Sequence, residues 1–313
     1  MNGTKKTYWL TTYTLIFVFV FMVFSQNYWR FWNSDKGETP FMWDADQYYS
    51  YLPASFIYHD LDFNYTARYW LTTAPNGHRV PKVTYGMALM FSPFFLLGHK
   101  IAINQNSPLT GYSEPYSTCV HYGSLFYGLM GLVILSFILR RFYSDKITAL
   151  TIATLFFATN LFYYIMRDGE MAHCYTFFLI SLFMLFTCKW HESPNSIYFL
   201  WLGLIMGLLT IIRPTEILVF IVFVGYGVTS FSNFTGKLKQ ILFSYKNVPL
   251  FLLGFFIIWL PQMIFWKMKT DHFLFFSYGS DERFFWLDPK IVPILFGYRK
   301  GWFVYTPVML FAM

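Results

Sequence analysis

The stretch from Tyr8 to Gln26, YWLTTYTLIFVFVFMVFSQ, carries no charged side chain. About 20 mostly apolar residues in a helix cross a hydrocarbon layer of roughly 30 Å, so this run is expected to span a membrane. Outward from it, the same test selects 118–139, 147–166, 171–188, 197–212, 215–231 and 248–266. An eighth span begins near Ile291 and runs as an apolar stub over 291–313, which reads as a cut C-terminus. The expectation is an all-α fold: one polytopic transmembrane helical bundle over 1–313, truncated at its end.

Composition agrees. Of 313 residues, 56% are hydrophobic and only 12% charged, with a mean hydropathy of +0.41, more apolar than a soluble domain of this size needs. Aromatic residues reach 24%, and Trp and Tyr favour the membrane interface. The net charge of +7 is divided among short loops, so it reports topology rather than a nucleic-acid partner. Cys119, Cys174 and Cys188 lie in or beside apolar runs without metal-ligand spacing, so no disulfide framework is expected. Lys5 and Lys6 precede the first run, and no small-residue cleavage site follows it, so a retained signal anchor is expected rather than a cleaved leader.

Orientation turns on Tyr85 to Ile103, an apolar stretch interrupted by Pro93. If it does not span, Lys5, Lys6, Arg140, Arg141, Lys146, Lys189, Lys237, Lys239 and Lys246 all fall on one side. That side is the cytoplasm by the positive-inside rule. The stretch is therefore expected to be a half-buried helix on the outer face, within a large extracytoplasmic first loop over 27–117 that carries short helices. So long a loop, rich in Trp, Tyr and Phe, is more functional than disordered in character.

Polar chemistry concentrates on that side. Trp43-Asp44-Ala45-Asp46-Gln47-Tyr48-Tyr49 sets two carboxylates among aromatics. Such a pair either deprotonates a hydroxyl or holds a divalent cation, Mg or Mn, and its bland counterpart is a solvated turn with Asp46 near the N-cap of a helix over 47–58. Asp60 and Asp62 read as a structural turn. Arg79 and Lys82 precede the half-buried helix, where they suit either a phosphate or anionic headgroups. Arg213 and Glu216, one i,i+3 step apart, read as a local ion pair. Arg167, Asp168, Glu170 and His173 form a denser ionisable group between the third and fourth spans, costly near a membrane interior. No P-loop, GxGxxG or HExxH pattern is present, and no zinc site is expected.

A cytoplasmic N-terminus, one span, a large outer loop with an early acidic motif and paired spans with short basic turns together resemble the GT-C superfamily of membrane glycosyltransferases. That superfamily includes protein O-mannosyltransferases, lipid A aminoarabinose transferases and the catalytic subunit of oligosaccharyltransferase. Asp44 followed by Tyr48 is similar to the Asp-Glu-x-x-Tyr pattern of the first two, and Asp46 to Tyr51 looks like the Asp-Pro-Tyr-Phe-x-Tyr of the third. Tyr85-Gly86-Met87-Ala88, Arg213-Pro214-Thr215 and Gly301 to Pro307 resemble recurrent stretches of bacterial members. Lys82 occupies the place of a family lysine that helps bind the lipid phosphate, although here Pro81 precedes it rather than proline following it.

The resemblance implies transfer of a sugar, with inversion, from a polyprenyl-phosphate donor to an envelope glycan, lipid or protein acceptor, at the outer face of a bacterial inner membrane. It implies Asp44 or Asp46 as general base and Lys82, Arg79 and Arg283 against the phosphate. Tyr48, Tyr85, Arg167, Asp168 and His173 would bind substrate. No cofactor is required, and a divalent cation on Asp44 and Asp46 is the alternative for phosphate stabilisation. The competing class is a transporter or flippase of lipid-linked glycans, which calls for matched Gly or Pro interruptions in two halves. Pro214, Pro261 and Pro307 lie near span ends instead.

Overall fold

The computed structural model describes residues 8–33, 36, 38–65, 71–242, 246–278, 288–299 and 301–312. They are mostly helical, with almost no strand. In chain order the helices are α1 (Trp9–Trp29), α2 (Asp44–Phe56), α3 (Gly86–Asn104), α4 (Glu114–Leu139), α5 (Asp145–Phe157), α6 (Leu161–Met166) and α7 (Ala172–Glu192). There follow α8 (Ile197–Ile212), α9 (Phe220–Gly225), α10 (Phe231–Leu242), α11 (Asn247–Thr270), α12 (Ile291–Phe296) and α13 (Trp302–Tyr305). Strands β1 (Leu71–Thr73) and β2 (Arg79–Pro81) pair antiparallel with Thr72 opposite Val80. Among the described residues, α1, α3, α4, α7 and α11 are long and apolar enough to cross a membrane. The chain is a helical membrane protein.

One end of the bundle gathers the basic turns. Tyr8 Oη donates to the Arg140 carbonyl at 2.9 Å, and the amides of Leu10 and Thr11 donate to the Asp145 carboxylate at 2.8 and 2.9 Å. Asp145 thereby satisfies first-turn N–H groups that α1 cannot satisfy itself. Arg141 pairs with Glu192 at the same end. The opposite end gathers the first loop: Arg30 meets Glu114 at 2.5 Å, and Lys269 at the end of α11 meets Asp62 at 2.6 Å.

The helix over 85–103 forms as α3. Its contacts fall on the first half of α4, from Pro115 against Gly98 to Tyr127, whose hydroxyl donates to the Met90 carbonyl at 3.1 Å. They also fall on Tyr175 in the first turns of α7 and on Ile211 and Ile212 at the end of α8. α3 therefore packs along α4 from its first turn to its middle, and it is itself long and apolar enough to cross a membrane.

Three expected spans are interrupted. The 147–166 segment breaks between α5 and α6, where Thr159 Oγ1 donates to the Leu155 carbonyl and accepts the Leu161 amide, competing with the helical ladder. The 215–231 segment is a 3-10 turn, Pro214–Val219, followed by the short α9, and ends at Gly225 and Gly227, the latter at φ +71°. Over 291–312, Pro293, Gly297, Gly301 and Pro307 leave α12, α13 and a 3-10 turn, Pro307–Ala312.

α8 has 16 residues, a rise of about 24 Å, shorter than the roughly 30 Å hydrocarbon layer. It stops because Pro214 disfavours helical dihedrals in the residue before it, and Arg213 is extended at φ −146°, ψ 115°. Its partner α11, 24 residues long, runs beside it and continues past its end. The two helices meet at backbone distance: a Cβ on Gly203 would run into the Phe251 carbonyl, and one on Gly254 into the Leu200 carbonyl. Small residues at such a seam let membrane helices approach closely.

The first loop is folded around aromatic side chains. Phe41 stacks on Tyr49 at 3.6 Å between ring centroids, Tyr49 Oη donates to the Gly111 carbonyl, and Tyr51 Oη donates to the Val83 carbonyl at 2.8 Å. Asp60 accepts the amides of Asp62 and Asn64, the turn expected for it. Asp62 accepts from Lys269 and from His78 Nδ1 at 3.0 Å, clasping the turn to β2's hairpin and to α11.

Gly203→Val is expected to force α8 from α11 and destabilise the protein by about 1–3 kcal/mol, read as a lower thermal midpoint in detergent. The hydrogen bond from Lys269, with that from His78, holds the Asp62 carboxyl below its usual range. A depressed carboxyl contributes stability above its ordinary value and loses it only as pH falls through the lowered one. Limited proteolysis of the first loop should therefore be unchanged between about pH 5 and 8 on Asp62's account, while Asp62→Asn accelerates it modestly, for a clasp worth about 1 kcal/mol or less at its exposure.

Candidate functional site

α2 begins at Asp44, three residues before the expected start, with Trp43 as its N-cap. Asp44 and Asp46 thus occupy the first turn, where negative charge complements the helix dipole, rather than capping it. Trp43 adopts φ 54°, ψ −121°, a conformation rare outside glycine, and is 73% exposed. Strain of this kind directly before a candidate functional carboxylate points toward function.

Two residues along a helix turn a side chain by about 200°. Asp44 is accordingly exposed and lines a cavity, whereas Asp46 is buried at 4% exposure. The pair does not converge, so the expected shared cation does not fit these residues. Among the described residues, no group of three or more His, Cys, Asp or Glu is placed to hold a metal ion.

The Asp44 cavity, about 230 Å³, is bounded across from α2 by Asp168 and Glu170, from the turn between α6 and α7, and by Phe31. Tyr163 hydrogen-bonds to Asp168. The Arg167 guanidinium lies 4.0 Å from the centre of the Phe31 ring, so it braces the cavity wall.

One turn along α2 from Asp44, Tyr48 is buried beside Arg213. The Arg213 charge lies close to the Tyr48 phenol and approaches His173 Nε2 at 3.5 Å, while Tyr164 packs on the His173 ring at 3.8 Å. No salt bridge joins Arg213 to Glu216, which corrects the expected local pair. Burial pushes the Tyr48 phenol up to about 12, against the opposing pull of Arg213, with Asp44 and Tyr278 adding to the rise. Tyr48 is a neutral hydrogen-bonding group at any physiological pH.

Tyr278 connects this cluster to a second cavity of about 120 Å³, lined also by Lys82, Pro214, Trp259 and Trp266. Ser277 Oγ donates to the Lys82 carbonyl and fixes that backbone. The site therefore has an acidic pole, Asp44 with Asp168 and Glu170, and a basic pole, Arg213 and Lys82, bridged by Tyr48 and Tyr278.

Other expected members lie elsewhere. Arg79 sits on the hairpin opposite Thr73. Tyr85 donates its hydroxyl to the Ile258 carbonyl at 2.5 Å and its amide to Gln262 at 3.0 Å, anchoring the loop to α11. It lines a separate apolar groove of about 310 Å³ with Leu52, Phe56, Leu89, Pro261 and Phe265. Arg283 is outside the described residues. Arg213 and Tyr278 are the members that sequence reasoning missed. The Arg-Pro dipeptide at a span end signals the first, and no local signal marks the second.

No family model matches this chain, and no characterised protein or solved structure matches it either.

Ultraviolet difference titration of Tyr48→Phe against the parent protein is expected to show no missing phenolate below about pH 11. A phenolate lost from the variant near pH 10 would contradict the burial of Tyr48 against Arg213.

Proposed function

We propose that this chain is a glycosyltransferase of the GT-C type, moving a sugar from a polyprenyl-phosphate-linked donor to an extracytoplasmic envelope acceptor with inversion. The observation that carries the reading is the exposed Asp44 behind a strained Trp43, facing one cavity, with Arg213 beside Tyr48 one turn along the same helix and Lys82 lining a second cavity. The positive-inside rule, with the basic turns taken as cytoplasmic, supports a site on the outer side, and the resemblance to GT-C enzymes supports a bacterial inner membrane.

Asp44 takes the proton from an acceptor hydroxyl as that oxygen attacks the anomeric carbon and the sugar–phosphate bond breaks. General-base assistance of this kind contributes about two to four orders of magnitude. Asp44 is the better base of the two aspartates because it is exposed to the cavity and carries no salt bridge among the described residues, whereas Asp46 is enclosed. The leaving phosphate meets Arg213 and Lys82. Arg213 is held by Tyr48 and His173 before substrate arrives, and a fixed cation acts strongly on developing charge in a water-poor site. The apolar groove between α2, α3 and α11 suits an isoprenoid tail. Asp168 and Glu170 face Asp44 and suit hydrogen bonds to acceptor or sugar hydroxyls.

Purified protein in lipid, supplied with radiolabelled polyprenyl-phosphate sugars and an envelope extract as acceptor, is expected to transfer label. Asp44→Asn should lower the rate by about 10²- to 10⁴-fold, and Arg213→Gln by a comparable factor, since losing one charge-stabilising donor costs roughly 10²–10³. Asp46→Asn should cost less than Asp44→Asn. Full transfer by Asp44→Asn, or labelled lipid crossing liposomes with no sugar moved, overturns the reading.

A further inference from the structure

A second polar cavity, of about 140 Å³, lies between the end of α1 and the start of α4. Gln26, Trp32 and His121 line it and are 2%, 5% and 0% exposed. Gln26 Oε1, Trp32 Nε1 and His121 Nε2 have no hydrogen-bond partner among the described residues. Buried polar atoms are ordinarily paired, and three orphans among the side chains that line one cavity mark a place suited to receive hydrogen bonds.

The chemistry of the three atoms defines the guest. His121 Nδ1 lies 2.6 Å from Glu170 Oε1, and both side chains are buried. Nδ1 and that carboxyl group share a proton, and Nε2 is left beside the cavity without a partner, an acceptor on the neutral ring and a donor on the charged one. Gln26 Oε1 only accepts, whereas the indole N–H only donates. The fixed charge on the rim is already paired: Arg30 meets Glu114, which also accepts from Thr118 at 2.7 Å. A fixed acceptor, Gln26 Oε1, and a fixed donor, Trp32 Nε1, call for a guest that both donates and accepts, which a bare anion does not. Adjacent hydroxyl groups satisfy all three atoms, because each donates and accepts.

Depth indicates where such a group comes from. Gln26 lies 18 residues, about 27 Å, along α1 from Tyr8, whose hydroxyl marks the basic end at Arg140. That places the cavity near the far headgroup plane of a roughly 30 Å layer. Tyr122 on its wall is 41% exposed and Phe126, one turn further along α4, is 50% exposed, so this face of α4 is open beside the cavity.

We propose that this cavity is a binding site for a vicinal diol, carried either on a lipid headgroup such as a terminal glycerol or on a free polyol or sugar ring. The proposal does not depend on glycosyl transfer. His121–Glu170 is the wall it shares with the Asp44 cavity, which Glu170 also lines.

The test uses the full chain in nanodiscs of phosphatidylcholine doped with phosphatidylglycerol, or with phosphatidylethanol, which has the same charge and no diol. Native mass spectrometry is expected to retain phosphatidylglycerol about tenfold over phosphatidylethanol, a difference of roughly 1.4 kcal/mol, and Gln26→Met and Trp32→Phe should each abolish the preference. If both lipids are retained alike while glycerol or a methyl glycoside raises the thermal midpoint of the parent but not of the variants, the diol is a free one and the site stands. Equal retention with no response to free polyols overturns the proposal. So does a diol preference that persists in both variants. Gln26→Met removes a buried unpaired acceptor, so its midpoint without ligand should hold or rise, which separates lost binding from misfolding.

Discussion

The organisation of this molecule depends on a helix that stops early. Pro214 holds Arg213 out of the α region, and α8 ends about 24 Å from its start, inside the depth of an apolar layer. A guanidinium emerging at that depth is expensive unless it is partnered. Tyr48 from α2 and His173 from α7 are the partners, so the arginine draws the first loop and the fourth-span region toward one point. The close glycine seam with α11 holds α8 in place while α11 rises past it. The recess beside the end of α8 is lined by Lys82, Tyr278 and two tryptophans of α11.

The loop over 27–117 is a layer with its own aromatic packing, clasped at several points. Tyrosine hydroxyls donating to backbone carbonyls recur: Tyr49 to Gly111, Tyr51 to Val83, Tyr65 to Ser50 and Tyr85 to Ile258. The Gly111 and Val83 carbonyls lie in irregular backbone that would otherwise leave them unsatisfied, whereas the Ser50 and Ile258 carbonyls belong to α2 and α11. This accounts for part of the chain's aromatic excess, since these rings serve the loop core as well as membrane interfaces. The clasp of Asp62 by Lys269 and His78 ties the layer to the end of α11, and the rigid layer then sets the strained entry to α2 that exposes Asp44.

Charge separation gives the proposed transferase reading its physical content. Acidic groups gather where the loop meets the α6–α7 turn, and basic groups gather where it meets α8 and the segment after α11. A reaction that removes a proton at one atom and releases phosphate at another requires such a division. Glu170 of the acidic pole pairs with His121, and His121 lines the proposed diol cavity, so this pair stands between the two cavities.

Hydropathy alone was enough for the helical membrane class and for α1, α4, α7 and α11, because a spanning helix must satisfy its backbone internally and show lipid an apolar surface over its whole length. The early acidic motif and the turn at Asp60 could be read locally for the same kind of reason: each is made by neighbours in the chain. The breaks at Thr159 and Pro214 were harder, since an apolar average passes over one hydroxyl or one imino acid. The choice between Asp44 and Asp46 needed the observed helix start, which turns one into a cavity and the other into packing. Arg213 with Tyr48, Tyr278 with Lys82 and His121 with Glu170 are separated by 165, 196 and 49 residues. Only tertiary packing brings them together, because these contacts are set by where helices end and how closely they approach, not by any spacing along the chain.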